Sequence, residues 1–344
     1  MKQAYLHIMA RLNYLDNLKV ALTFLVILHH AGQAYGDGGE WGYTPSNPAE
    51  VMPWIWHFFS TNAAFFMGLY FFISGYFIPG SYDRQGFGTF VRKKILRLGV
   101  PLLLMGGLLT SATGKVEIAH MWFVESLLIF SFFYAVVRKR CPSISKDCDS
   151  RPTLTGLFIA ALVMGIGSYF IRQVSPQDNW ISLGVWNFEP AHYLQYVMMF
   201  VLGILAYRFC WLDKMTNKTG VVALVIGGLL AIGNYVRQDG PWNDFVWQWF
   251  GIYESLMCVF ISFGLLWLFR EKVNMGNKAL SWLSAQSYGA YISHLPLIIC
   301  IQNVFDGVWM GAFGKFMFAG VVSTVLSFFL TWVLRLIPGV KRII

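Results

Sequence analysis

Ten stretches of this chain are apolar and long enough to cross a bilayer as helices: 18–35, 54–79, 95–113, 121–138, 153–172, 191–210, 220–236, 246–270, 283–304 and 312–336. Two are interrupted. The third holds Pro101 and Gly106-Gly107, and the seventh is short and glycine-rich. The pattern carries no clear internal repeat, no low-complexity tract and no appended soluble domain. It predicts an all-α integral membrane protein, a single domain over residues 1–344 built as a bundle of about ten transmembrane helices.

The polar positions inside the apolar stretches are few. His29 and His30 interrupt the first one, in Leu25-Val26-Ile27-Leu28-His29-His30-Ala31-Gly32. A titratable group at membrane depth is expensive and marks a functional position by default. Lys19 lies eleven residues before His30. That spacing is close to three helical turns, so the two share a face, roughly 16 Å apart along the axis. Asp16 and Thr23 fall near that face, while His29 points about 100° away. Glu125, Glu254 and His294 lie within later stretches, and His57, His120 and His192 sit at their ends.

Composition narrows the class. The chain is 56% hydrophobic and 12% charged, against about 25% charged for soluble domains. Its net charge of +9 suggests nucleic acid at first sight. The basic residues are dispersed between apolar stretches, so a nucleic-acid partner is excluded and the lipid bilayer is the partner instead. With the amino terminus inside, 22 Lys and Arg fall on the inner side. Only Lys115, Arg172, Arg237 and Lys315 fall outside. That bias predicts both termini in the cytoplasm. Lys2, Arg11 and Lys19 before an apolar run resemble a signal peptide, but no small-x-small cleavage site follows, and the run is read as a retained span. The five cysteines fall in stretches assigned to the membrane or the cytoplasm, so no structural disulfide is expected. Cys141 and Cys148 have no histidines nearby, and no metal site is expected.

Depth then divides the chemistry. In this topology His30 and Glu125 lie in the outer thirds of their spans, with His120 at the mouth of the second. Glu254 is also outer, and His294 is near the midplane. The basic clusters Arg92-Lys93-Lys94, Arg97, Arg138-Lys139-Arg140 and Lys341-Arg342 lie inside. This polarity suits an anionic cytosolic donor held inside and chemistry in the outer half. A histidine with a carboxylate partner is a standard general base, because imidazole titrates near neutral pH. Ten of the fourteen tryptophans, Trp41 among them, fall outside. An interface belt explains most of that excess. Indole would also offer a sugar ring a wide, rigid face.

At these residues the chain resembles the acyltransferase-3 family of bacterial integral membrane acyltransferases. Asp16, Lys19 and His29-His30 resemble its opening motif, in which an arginine stands eleven residues before the catalytic histidine. That register selects His30. Phe71-Phe72-Ile73-Ser74-Gly75-Tyr76-Phe77 resembles the phenylalanine-rich serine-glycine motif, and Phe90-Val91-Arg92-Lys93-Lys94-Ile95-Leu96-Arg97 the basic motif. His120-Met121-Trp122-Phe123-Val124-Glu125 and Tyr291-Ile292-Ser293-His294-Leu295-Pro296 resemble two later ones. The resemblance implies a bacterial inner-membrane O-acyltransferase, with acyl-coenzyme A as co-substrate and no tightly bound cofactor. The acceptor would be a hydroxyl of an envelope carbohydrate or lipid-linked glycan, and the glucan-modifying branch is the nearest in appearance. It casts His30 as base and Glu125 as its assistant. Lys19, Arg92, Lys93 and Arg97 would hold donor phosphates, with Asp16, His29, Ser74, His120, Glu254 and His294 in supporting or substrate roles. Lys19 replaces the usual arginine and cannot make its bidentate fork.

Two other readings fit the residues. An outer histidine could simply bond a neighbouring helix. The same bundle would also serve as a proton-coupled exporter of a saccharide or small metabolite, although the inverted repeat common in transporters is not evident. The chain as a homo-oligomer is compatible with everything above.

Overall fold

The computed structural model describes residues 12–36, 39–114, 118–141, 146–183, 186–238 and 240–344. The amino-terminal basic residues Lys2 and Arg11, and Lys115, lie outside the described residues. Of the described residues, 78% are helical. Its helices are α1 (Asn13–Gln33), α2 (Ile55–Lys94), α3 (Val100–Thr113), α4 (Trp122–Arg140), α5 (Leu154–Val174) and α6 (Pro190–Arg208). There follow α7 (Trp211–Lys214), α8 (Asn217–Gln238), α9 (Asn243–Gln248), α10 (Phe250–Lys272), α11 (Lys278–Val304) and α12 (Gly311–Leu334). Between α5 and α6 the strands β1 (Ile181–Leu183) and β2 (Trp186–Phe188) pair antiparallel, Ile181 opposite Phe188. The apolar pattern did not predict this hairpin, whose strands are three residues each.

Among the described residues, seven helical segments are long and apolar enough to span a membrane by length and composition. The expected second and third stretches join in one of them, residues 55–111, because helical turns continue from α2 through the π turn Ile95–Gly99 into α3. A straight helix of that length would far exceed a bilayer. Gly86 breaks it with φ 71° and ψ 171°, a backbone state that glycine adopts without penalty. The helices α1 and α11 have 21 and 27 residues and fall outside the seven. They are long enough, but they carry the histidines and amides that lower their apolar character.

Packing explains which helices are central. The most apolar window of the α2 segment is 78% buried, against 28% for those of α5 and α8. Central α2 meets α6 where glycine faces backbone on both sides. A Cβ on Gly75 would lie 2.1 Å from the Phe200 carbonyl oxygen, and one on Gly203 2.0 Å from that of Phe72. Small residues let helices approach this closely where lipid offers little hydrophobic drive. The glycine of the serine-glycine motif is therefore a packing requirement. On the other flank α1 lies between α11, α12 and α2. Ile27, Ala31, Ile55, Phe59, Ala290, Ile298 and Phe316 form the buried cluster there.

One expectation is corrected. Cys148 and Cys210 form a disulfide, with Cα atoms 5.1 Å apart at a sequence separation of 62. The chain folds residues 146–150 back onto the end of α6, where the Asp147 amide donates to the Arg208 carbonyl (2.9 Å) and Trp211 Nε1 donates to Ser150 Oγ (3.1 Å). The expectation rested on compartment alone and could not see that proximity.

Candidate active site

Three histidines from distant parts of the chain meet where α1 packs against α11. His30 Nδ1 lies 2.7 Å from His294 Nε2, although 264 residues separate them. His120, in the short turn Ala119–Met121 before α4, packs its ring edge against His294 with centroids 4.9 Å apart. Two carbonyls of α11 hold the second and third members. His294 Nδ1 lies 2.5 Å from the Tyr291 oxygen, and His120 Nε2 lies 2.9 Å from the Ile292 oxygen. The second acceptor has a sequence cause. Pro296 stands four residues after Ile292 and has no N–H, so the helix leaves that carbonyl free for a side chain. Tyr291 completes the cluster by donating its hydroxyl to the His120 carbonyl.

His29 is elsewhere. It is buried among the rings of Phe58, Phe59 and Phe66, the last two 5.0 Å away, and its Nδ1 has no hydrogen-bond partner among the described residues. His30 is half-buried. Trp41 stands edge-on to its ring at 5.4 Å and donates its indole N–H to Gln33 Oε1 (2.7 Å). The loop carrying Trp41 is clamped to the end of α11, because Asp306 accepts hydrogen bonds from Tyr43 (2.8 Å) and from the Ser46 amide and hydroxyl.

At the Lys19 end of α1 opens a cavity of about 820 Å³. Lys19, Arg92, Lys93 and Arg97 all line it, as does Ser74. Lys94 joins them from the same run, and Lys341 and Arg342 from the carboxy-terminal turn. Thr23, Tyr70, Phe123 and Tyr291 line it as well. Tyr291 is thus shared by the cavity and the histidine cluster. Lys19 pairs with Asp16 at 2.7 Å and lies over the Phe77 ring at 5.2 Å. Thr23 and Tyr70 are hydrogen-bonded to each other (2.7 Å) and to the Lys19 carbonyl.

The cationic cavity and the histidines occupy the positions of the motifs quoted above. The acyltransferase-domain family matches residues 12–334, nearly the whole chain. The chain belongs to the acyltransferase-3 family. Its relatives include the "Glucans biosynthesis protein C" of Escherichia coli strain SMS-3-5 / SECEC, 25% identical over 326 residues, covering 83% of this chain and 82% of the relative. The protein of the same name from strain K12 / DH10B matches to the same extent. No solved structure matches. Membership makes this a membrane O-acyltransferase.

In this acyltransferase the two buried glutamates lie apart from His30. Glu125 accepts the Asn187 amide (3.2 Å), facing the hairpin, and among the described residues no hydrogen bond joins it to His30. Glu254 forms an ion pair with Arg172 and lies 3.1 Å from His192, whose other nitrogen meets Glu189 at 2.5 Å. Among the described residues no group of three or more His, Cys, Asp and Glu is arranged to hold a metal ion. The sequence offered Lys94, Lys341 and Arg342 only as part of the inner basic clusters and Tyr291 only as part of the late motif, and it gave Tyr70 no role.

Proposed function

We propose that this acyltransferase moves an acetyl or similar short acyl group from acyl-coenzyme A to a hydroxyl of an envelope glycan, with His30 as general base. The observation that carries the reading is the cationic cavity lined in part by Tyr291, a residue that also packs against the histidine cluster. Lys19, Arg92, Lys93 and Arg97 hold the donor phosphates, aided by Lys94 and the carboxy-terminal Lys341 and Arg342. The pantetheine arm runs past Ser74 and Thr23 toward Tyr291. Phosphates are met here as point charges by lysine and by forks from arginine.

The acceptor enters from the His30 side, where Trp41 offers a flat face to a sugar ring. His30 takes the hydroxyl proton as the oxygen attacks the thioester carbonyl carbon. The carbon–sulfur bond breaks, and the thiolate of coenzyme A leaves and recovers the proton. Positioning supplies much of the rate. Glu125 secures the hairpin through Asn187, and His29 packs the helix. The Escherichia coli relatives carry "glucans biosynthesis" in their name, which supports a glucan acceptor. The charge bias supports a cavity open to the cytoplasm and His30 toward the outside, in a ten-helix bundle of the bacterial inner membrane with both termini inside.

The test is transfer from radiolabelled acetyl-coenzyme A to glycan by the protein in proteoliposomes. His30→Ala is expected to insert and fold as the parent does and to transfer nothing measurable. Normal incorporation by that variant removes His30 from the mechanism. Saccharide efflux without any coenzyme A binding would establish the exporter instead.

A further inference from the structure

The hydrogen bonds of the histidine cluster fix protons as well as rings. A backbone carbonyl only accepts, so the His294 nitrogen 2.5 Å from the Tyr291 oxygen carries the hydrogen. A neutral imidazole has one N–H, so His294 Nε2 is then an acceptor. His30 Nδ1 lies 2.7 Å from that lone pair and must donate to it. The two rings are 14° from parallel, and the bonded nitrogens are much closer than the ring centroids, 4.9 Å apart. The contact is therefore edge to edge, along the lone pair. His30 is left with an unprotonated Nε2. That atom takes no hydrogen bond among the described residues, and it is absent from the buried polar atoms that lack a partner.

We propose that His294 is the positioning residue that locks His30 in its Nδ1–H tautomer and so presents Nε2 as the base. This rests on His30 being the base, but the tautomer itself does not depend on the donor or the acceptor. The arrangement does with a second imidazole what a carboxylate does in a serine–histidine–aspartate triad, where the wrong tautomer costs about 10⁴-fold in rate. The groups that face the pair are His29, His120, Tyr291 and Trp41. None is a carboxylate or a permanent cation, so nothing there competes for the shared proton. His120 stays out of the relay. Its Nε2 donates to the Ile292 oxygen, and its Nδ1 is buried without a partner among the described residues.

The test is nitrogen NMR of the full-length protein, labelled with ¹⁵N-histidine, in nanodiscs, with the His30 signals assigned by their loss in His30→Ala. The expected result is Nδ1–H on His30 in the parent and a return to Nε2–H in His294→Phe. In the transfer assay His294→Phe is expected to lower kcat by about 10²-fold or more with the donor KM unchanged. His294→Gln, whose side-chain oxygen reaches toward the lost Nε2, recovers part of the rate. Nε2–H on His30 in the parent protein overturns the proposal, as does an Nδ1–H signal that persists in His294→Phe. If the tautomer is as derived while His30→Ala still transfers acyl groups, the base assignment fails and the lock stands.

Discussion

At the scale of single residues, adjacent histidines have opposite surroundings. His30 meets His294 and Trp41, while His29 sits in a box of phenylalanines. The 100° turn between neighbours on a helix accounts for that divergence, and it was legible from spacing alone. The carboxylates were not. Glu254 reads in sequence as an isolated acid at membrane depth, yet it neutralises Arg172 and bonds His192. Removing one partner of a buried pair leaves an uncompensated charge, so Glu254→Ala is expected to destabilise by about 3–5 kcal/mol. Thermal unfolding in detergent would show it as a large drop in Tm. An unchanged Tm would mean that the ion pair carries no structural load.

At the scale of elements, the contact between α2 and α6 depends on two glycines. Substituting Gly75 or Gly203 by valine forces side-chain atoms into the opposing backbone. Overpacking costs about 1–3 kcal/mol even against side chains that can yield, and carbonyls yield less. The expected outcome for each variant is early unfolding and poor recovery of monodisperse protein on size exclusion. The loop over His30 has its own tether at Asp306, whose carboxyl is held below the ordinary range by the hydrogen bonds from Ser46 and Tyr43. A lowered carboxyl contributes stability above its unfolded pKa and loses it as pH falls through the folded value. Proteolysis within residues 39–54 is therefore expected to stay slow at neutral pH and to rise only in strongly acidic buffer. Asp306→Ala is expected to show that faster cleavage already at pH 7. The hairpin Ile181–Phe188 escaped sequence reading because three-residue strands leave too short an alternation to recognise.

At the scale of the whole molecule, the cationic cavity gathers residues from α1, from the α2–α3 segment and from the carboxy-terminal turn. Replacing Lys93 and Arg97 together by alanine is expected to raise the donor KM about tenfold, a loss of about 1.4 kcal/mol, with kcat less affected. Lys341→Ala with Arg342→Ala is expected to act in the same direction more weakly, because these residues sit on an exposed turn. Steady-state kinetics with varied acetyl-coenzyme A reads both.

The sequence by itself determined the membrane class, the helix that carries the proposed base and the phase that turns His30 away from His29. Apolar stretches and helical periodicity are local properties, and they survive without knowledge of neighbours. It also placed the motifs in order along the chain, which sufficed to identify the family. Only the tertiary structure decided which groups meet. His30 and His294 are 264 residues apart, and no local rule pairs α1 with α11. The same holds for Glu125, which turns to Asn187, for the cysteines that fold together, and for the carboxy-terminal cations that enter the cavity. Contacts of that kind follow from how helices pack, and packing is set by close approaches such as Gly75 on Phe200 that involve both partners at once.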